Sequence, residues 1–154
     1  MPGMTTLQWS EDLELGLDFM DDTHREFVDL LAQAANAPDE QLLDIWQTVL
    51  AHTEDHFGRE DKWMQDSSFP PGGCHATEHA SILAVMHEGA RRGAAGNFDM
   101  VRQLARELGI WFAGHAQSMD AALALFLKDV GYDEQTGAVA KPYVHPQTNL
   151  PQCA

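Results

Sequence analysis

The chain has 154 residues, enough for one well-buried domain and too few for two ordinary ones. Its apolar share of 44% suits a globular protein, and its formal net charge of −15 argues against nucleic acid and anionic lipid as partners, because no basic stripe exists to neutralise phosphates. The first nine residues lack the basic start and apolar run of a signal peptide, and no stretch approaches the ~18 apolar residues of a membrane helix, so a cytoplasmic protein without a membrane partner is expected.

Residues 1–20 read as an extended arm, with Trp9, Leu13, Leu15, Leu17 and Phe19 spaced by twos but no second strand to pair with. A first helix is expected over about 21–36. Thr23 and Glu26 form a capping-box pattern at its start, and Phe27, Val28 and Leu31 share its apolar face with His24. Pro38 opens a second helix, about 39–66, that aligns Leu42, Ile45, Trp46, Val49, His56, Glu60, Trp63 and Met64.

Ser67 to Gly73 is the strongest punctuation in the chain. A third helix, about 74–92, carries His75, His79, Ile82, Leu83 and Met86 inward. Asn97 suits the cap of a fourth, about 97–130, whose stripe at a uniform helical period is Val101, Leu104, Leu108, Trp111, His115, Met119, Ala122, Phe126 and Val130. Gly131 suits its end. The short connections make neighbouring helices antiparallel. The expected fold is therefore all-α: an up-down-up-down four-helix bundle with its arm over 1–130, followed by an irregular C-terminal tail, 131–154, packed through Tyr132 and Tyr143 or disordered.

Eight histidines form the one compositional anomaly. Five of them, with two carboxylates, fall on the inward faces: His24, His56, Glu60, His75, His79, His115 and Asp120. Residues four apart on a helix differ by roughly 40° around the axis and about 6 Å along it, so His75 and His79 reach one ion together, as do His56 and Glu60. His115 and Asp120 are five apart, about 140° on an ideal helix, and converge only if side-chain reach compensates or the helix unwinds locally into a π-turn.

The donor set is that of two iron ions per chain. Assigning His75, His79 and His115 to one ion and His24 and His56 to the other, with Glu60, Asp120 and a hydroxide or oxide as bridges, fills the first ion and leaves one open position on the second. The bland readings are real for single residues. A lone helical histidine such as His24 is more often a satisfied core or surface residue than a ligand, and His-x-x-x-His also serves zinc. Jointly, seven polar groups on apolar faces need partners that an apolar core does not offer, and metal resolves that.

These residues resemble hemerythrins, in particular the single-domain bacterial ones, over about residues 9–130. The resemblance is carried by Trp9 with Leu15-Gly16-Leu17, by Asp21-Asp22-Thr23-His24, by His56-Phe57-Gly58-Arg59-Glu60-Asp61 with Met64, by Phe69-Pro70 before His75-Ala76-Thr77-Glu78-His79, and by Trp111-Phe112-Ala113-Gly114-His115 through Asp120. It implies the same ligand partition and reversible dioxygen binding at a non-haem di-iron centre. The chain departs from the family at Thr23, usually Gln, at Phe112 and Ala116, commonly Leu and Ile, and at Asp61, often Glu. None of these removes a ligand.

Phe57, Ile82, Leu83, Trp111 and Phe112 lie one turn from, or beside, the ligands and are expected to wall the pocket. Apolar walls exclude water and anions, although core packing alone also explains such residues. His52, one turn before His56, reads either as support for the centre or as a solvated residue. His87 and His145 read as bystanders. Cys74 and Cys153 form no disulfide framework and are expected reduced, with Cys74 near a helix start where a thiolate is favoured.

Dioxygen carriage, storage or sensing leads over three alternatives: a di-iron oxidase, peroxidase or nitric-oxide-handling protein, an iron buffer or sensor, and a zinc-bound structural bundle. Oxidising di-iron bundles pair four Glu with two His in Glu-x-x-His repeats, whereas five neutral imidazoles do little for high-valent iron, so a non-enzyme is expected.

Overall fold

The computed structural model describes residues 6–142. After a short 3-10 turn at Glu11–Leu13 come α1 (Asp18–Asn36), α2 (Asp39–Ser67), α3 (Gly72–Ala94) and α4 (Phe98–His115). The last continues through one π-helical turn, Ala116–Asp120, into α5 (Ala121–Asp129), so α4 and α5 form a single rod. α1 packs on α2 and α4, and α3 packs on the same two, which closes a four-helix bundle. The only β-type pairing among the described residues is an isolated bridge, Tyr132 to Val139. No helix among them is long and apolar enough to cross a membrane.

The order of residues along each rod explains where the donors sit. Leu31, Trp46, Val49, Met86, Val101 and Leu108 belong to one apolar cluster, and Met20, Trp63, Met64, Leu123 and Leu127 to a second. On α1 the second cluster comes first, then His24, then the first cluster; on α2 the order is reversed. Antiparallel packing superposes these sequences, so one polar layer lies between two apolar plugs.

The start of α1 corrects the expected capping box. The helix begins at Asp18, three residues early, and Thr23 is interior, its hydroxyl donating to Phe19 O at 3.2 Å. Asp21 does the capping in reverse: its two carboxylate oxygens accept from the N–H groups of Leu15 (2.8 Å) and Gly16 (3.1 Å) in the arm. Gly16 turns the chain there at φ +79°. Lys128 also donates to Leu15 O, and the Arg25 guanidinium lies 5.1 Å from the Trp9 ring. Asn97 precedes α4 but makes no side-chain capping bond.

The π-turn corrects the stripe expected on the last rod. Before it, Val101, Leu108 and His115 face inward as expected. From Asp120 onward the buried residues are Asp120, Leu123, Ala124, Leu127 and Val130, the last as the stripe expects, while Ala122 is exposed and Met119 and Phe126 are half-buried. The Ala121 N–H donates to Ala116 O, five residues back, and the extra residue in that turn rotates everything downstream by one position.

α5 ends as the sequence predicts. Gly131 takes φ +63°, and the Tyr132 N–H and Gly131 N–H donate to Leu127 O and Lys128 O, a Schellman closure. Tyr132 then packs on the second apolar cluster and donates to Asp66 Oδ2 at 2.9 Å. Cys74 is not a free thiol, which corrects the expectation of a reduced thiol at that position. Cys153, Tyr143 and His145 lie outside the described residues.

Asp21→Ala leaves two arm N–H groups without their acceptor. The variant should lose about 1 kcal/mol in urea unfolding and be cleaved by protease within residues 6–17 sooner than the parent. Equal stability and equal cleavage would contradict the role assigned to Asp21.

Candidate metal centre

The structure brings all seven sequence-nominated donors into the polar layer, and all are buried. The donor atoms of Glu60, His75, His79, His115 and Asp120 lie within 4.8 Å of one another, as do those of His24, His56 and Glu60. The helical four-residue spacing accounts for His56 with Glu60 (2.7 Å) and for His75 beside His79, ring centroids 4.5 Å apart. The π-turn accounts for the five-residue pair, because it returns Asp120 to the face of His115 and sets Oδ1 3.1 Å from its Nε2.

The two carboxylates divide the imidazoles between them. Glu60 turns Oε2 to His24 (3.2 Å) and His56 (2.7 Å), and Oε1 to His75 (3.5 Å) and His79 (3.3 Å). Asp120 turns Oδ2 to His24 (3.3 Å), and Oδ1 to His75 (3.0 Å) and His115 (3.1 Å). The result is a three-histidine side and a two-histidine side, with one oxygen of each carboxylate on each.

These separations match the edges of a coordination polyhedron: ligand atoms ~2.1 Å from a shared ion and at right angles to one another stand ~3 Å apart. Glu60 Oε1, both Asp120 oxygens and His79 Nε2 are buried without a hydrogen-bond partner, and the Nε2 atoms of His75 and His115 face each other at 3.1 Å. Buried acceptors aimed at one another are costly unless a cation lies among them. The mixed imidazole and carboxylate set fits a divalent transition metal, so the residues present suit a metal centre.

Electrostatics without metal points the same way. Burial alone would raise Glu60, but His56 first, with His24 and His75, holds it well below the usual carboxylate range. Burial and the Glu60 charge push Asp120 up, and His115 and His75 outweigh them. Burial pulls His75 down, yet Asp120 and Glu60 hold it up at about 9. His24 is likewise raised against its burial by Glu60 and Asp120, whereas burial keeps His56 low.

Two supporting carboxylates escaped sequence reasoning. Asp61 Oδ1 lies 2.9 Å from His79 Nδ1, and Glu78 Oε1 lies 3.2 Å from His115 Nδ1 while also accepting from Trp111 Nε1 at 2.8 Å. Each immediately adjoins a donor in sequence, and an imidazole that presents Nε2 to a metal usually donates its Nδ1–H to such a group. That rule would have singled them out. Both serve the three-histidine side, where His75 Nδ1 alone meets no partner; on the other side the Nδ1 atoms of both His24 and His56 meet none.

The expected wall residues split between the two sides. Phe57 stacks on His79 (4.0 Å, 6°) and Trp111 on His115 (4.6 Å, 27°), whereas Phe112 stands edge-on to His24 (5.0 Å, 80°). Ile82 packs against the first apolar cluster and Leu83 is half-buried. Phe27, read from sequence only as core, meets both His56 (5.9 Å) and Phe112 (5.0 Å). His87 is exposed and pairs with Glu54 at 3.3 Å, away from the donors.

Comparison with known proteins agrees with this geometry. Residues 15–126 match the family described as the hemerythrin HHE cation binding domain. The chain is 39% identical over 137 residues to a bacteriohemerythrin of Ralstonia nicotianae, covering 89% of this chain and 100% of that one. It is 26% identical to a bacteriohemerythrin of Stenotrophomonas maltophilia (79% and 81% covered) and 24% identical to one of Pseudomonas aeruginosa (77% and 79% covered).

The metal-free protein should lose stability as pH rises. His75 has a raised folded value, so its contribution is complete below the unfolded value near 6.5 and disappears as pH climbs through about 9; His24, raised as well, acts in the same direction. The lowered His56 acts only below that window, and the two carboxylates only in acid. Urea unfolding between about pH 6.5 and pH 9.5 should show a fall of roughly 3 kcal/mol from His75, with a flat profile contradicting it.

Proposed function

The chain belongs to the hemerythrin family, and on that premise we propose that it binds dioxygen reversibly at two iron ions held by His24, His56, Glu60, His75, His79, His115 and Asp120. The observation that carries this reading is the division of the donors: each carboxylate offers one oxygen to each side, with three imidazoles on one side and two on the other. The side with fewer donors is where a small ligand finds room. We assign the binding unit to residues 1–130, with 131–154 as an appended tail, and place the protein in the cytoplasm.

Iron held by these seven residues would supply the reversible electron donation that dioxygen binding requires. The chain does the rest. Asp61 and Glu78 fix the rings of His79 and His115 with Nε2 inward, which keeps the crowded side rigid. Phe27 and Phe112 exclude water and anions from the two-histidine side, and Phe57 and Trp111 do so around His79 and His115. Five neutral imidazoles against two carboxylates favour a low oxidation state, which supports carriage over oxidation catalysis.

The direct test is elemental analysis together with visible spectra through cycles of air and argon. About two irons per chain and a band that comes and goes support the proposal. One-way bleaching with peroxide release or substrate turnover would replace it with an enzyme, and a spectrum that responds to nitric oxide alone would change the ligand.

His79→Ala and Asp120→Ala should each lose iron and about 2–4 kcal/mol of stability relative to loaded parent, since the remaining buried donors are left uncompensated. Full iron content with an unchanged spectrum in either would contradict the ligand set. Phe112→Ala should keep its iron while the oxygenated form decays about tenfold faster in air, as water reaches His24. Equal lifetimes would remove Phe112 from the pocket.

A further inference from the structure

On the two-histidine side, rings are layered outward from the donors. Phe112 lies against His24, Phe27 lies against Phe112 and His56, and His52 lies nearly parallel to Phe27 (6.4 Å, 18°) and edge-on to His56 (6.1 Å). Exposure rises along the same line. Phe27 is fully buried, the His52 side chain is 15% exposed, and Glu26, whose Oε2 accepts from His52 Nε2 at 2.9 Å, is 63% exposed. His52 is the outermost ring of this stack, and Glu26 ties it down from the solvent side.

Stability does not account for a histidine at this position. An exposed histidine–carboxylate pair contributes little, and His52 Nδ1 is buried without a partner, which costs free energy that a leucine or phenylalanine over Phe27 would not. What histidine does supply is a cover fastened by a single hydrogen bond to a solvent-exposed side chain. Such a cover opens by one rotamer change, without disturbing the packed core beneath it.

We propose that His52, latched by Glu26, is a movable cover over Phe27 that sets how fast small ligands and ions reach the His24/His56 side of the centre. It is a positioning residue, since it acts through Phe27 and touches no guest itself. The inference deepens the dioxygen-binding reading and rests on it for the identity of the natural guest. A different opening is available for comparison: an apolar cavity of about 180 Å³ lined in part by Phe69, His75, Met119 and Ala122, which borders the three-histidine side.

Two rates test the cover. One is cobalt(II) uptake by metal-free protein, followed by its visible absorption; the other is azide binding to the oxidised, iron-loaded protein by stopped flow. His52→Ala should raise both by about tenfold at unchanged metal content, and Glu26→Ala, which removes the acceptor, by a smaller factor. His52→Phe refills the stack and should run no faster than the parent. Glu26 is a surface residue, so its variant decides the matter even if His52→Ala folds poorly.

Rates within about twofold of the parent in Glu26→Ala, or in a folded His52→Ala, would overturn the cover. So would rates that respond instead to Ala122→Phe, which narrows the cavity beside His75. A parent that takes up cobalt but shows no reversible oxygen band would overturn the dioxygen reading alone, and the cobalt rates would still decide the cover.

Discussion

Two carboxylates with no access to solvent, Glu60 and Asp120, sit close enough to share the same imidazoles. Like charges in an apolar interior are not tolerated without compensating cations, and the Glu60 charge by itself pushes Asp120 toward protonation. Every other feature of the layer answers that constraint. The imidazoles of His24, His56, His75, His79 and His115 surround the pair from the neighbouring rods, and apolar plugs above and below keep water from relieving it. Metal or proton must supply the positive charge, and a metal ion would do so with more of the donors satisfied.

The two sides of the layer are built differently. His79 and His115 are anchored by Asp61 and Glu78, while the Nδ1 atoms of His24 and His56 meet no hydrogen-bond partner and their rings lie against Phe112 and Phe27. A carboxylate behind a ring fixes its orientation and raises its basicity. A phenylalanine fixes only the space it fills. On the reading proposed for this protein, one side is the rigid mount and the other is where a guest is accommodated. The ring stack ending at His52 then belongs to the same division of labour.

Much of this was legible along the chain. A strictly helical register places His56 with Glu60 and His75 with His79, and those pairs lie together as that register requires. The apolar faces of α1 and α2 follow a constant period and could be counted without a structure. Asp61 and Glu78 were harder, because each earns its role from a residue on another helix: Asp61 on α2 meets His79 on α3, and Glu78 on α3 meets His115 on α4. The start of α1 was misplaced for a similar reason. Asp21 caps the incoming arm rather than the helix, and no local pattern encodes a bond to Leu15 and Gly16.

By itself, the order of residues determined that there are four amphipathic segments, that antiparallel packing follows from short connections, and that histidines and acids lie on the buried faces. These are properties of local periodicity, which a helix converts directly into direction. Only the tertiary structure decided the phase of the last rod. The bundle needs Asp120 and His115 on the same side, a uniform helix would turn them about 140° apart, and a single π-turn absorbs the mismatch while shifting Leu123, Ala124 and Leu127 inward and Ala122 outward. Burial of charge across four chain segments outweighs the regularity of one, and that balance cannot be read from any one segment alone.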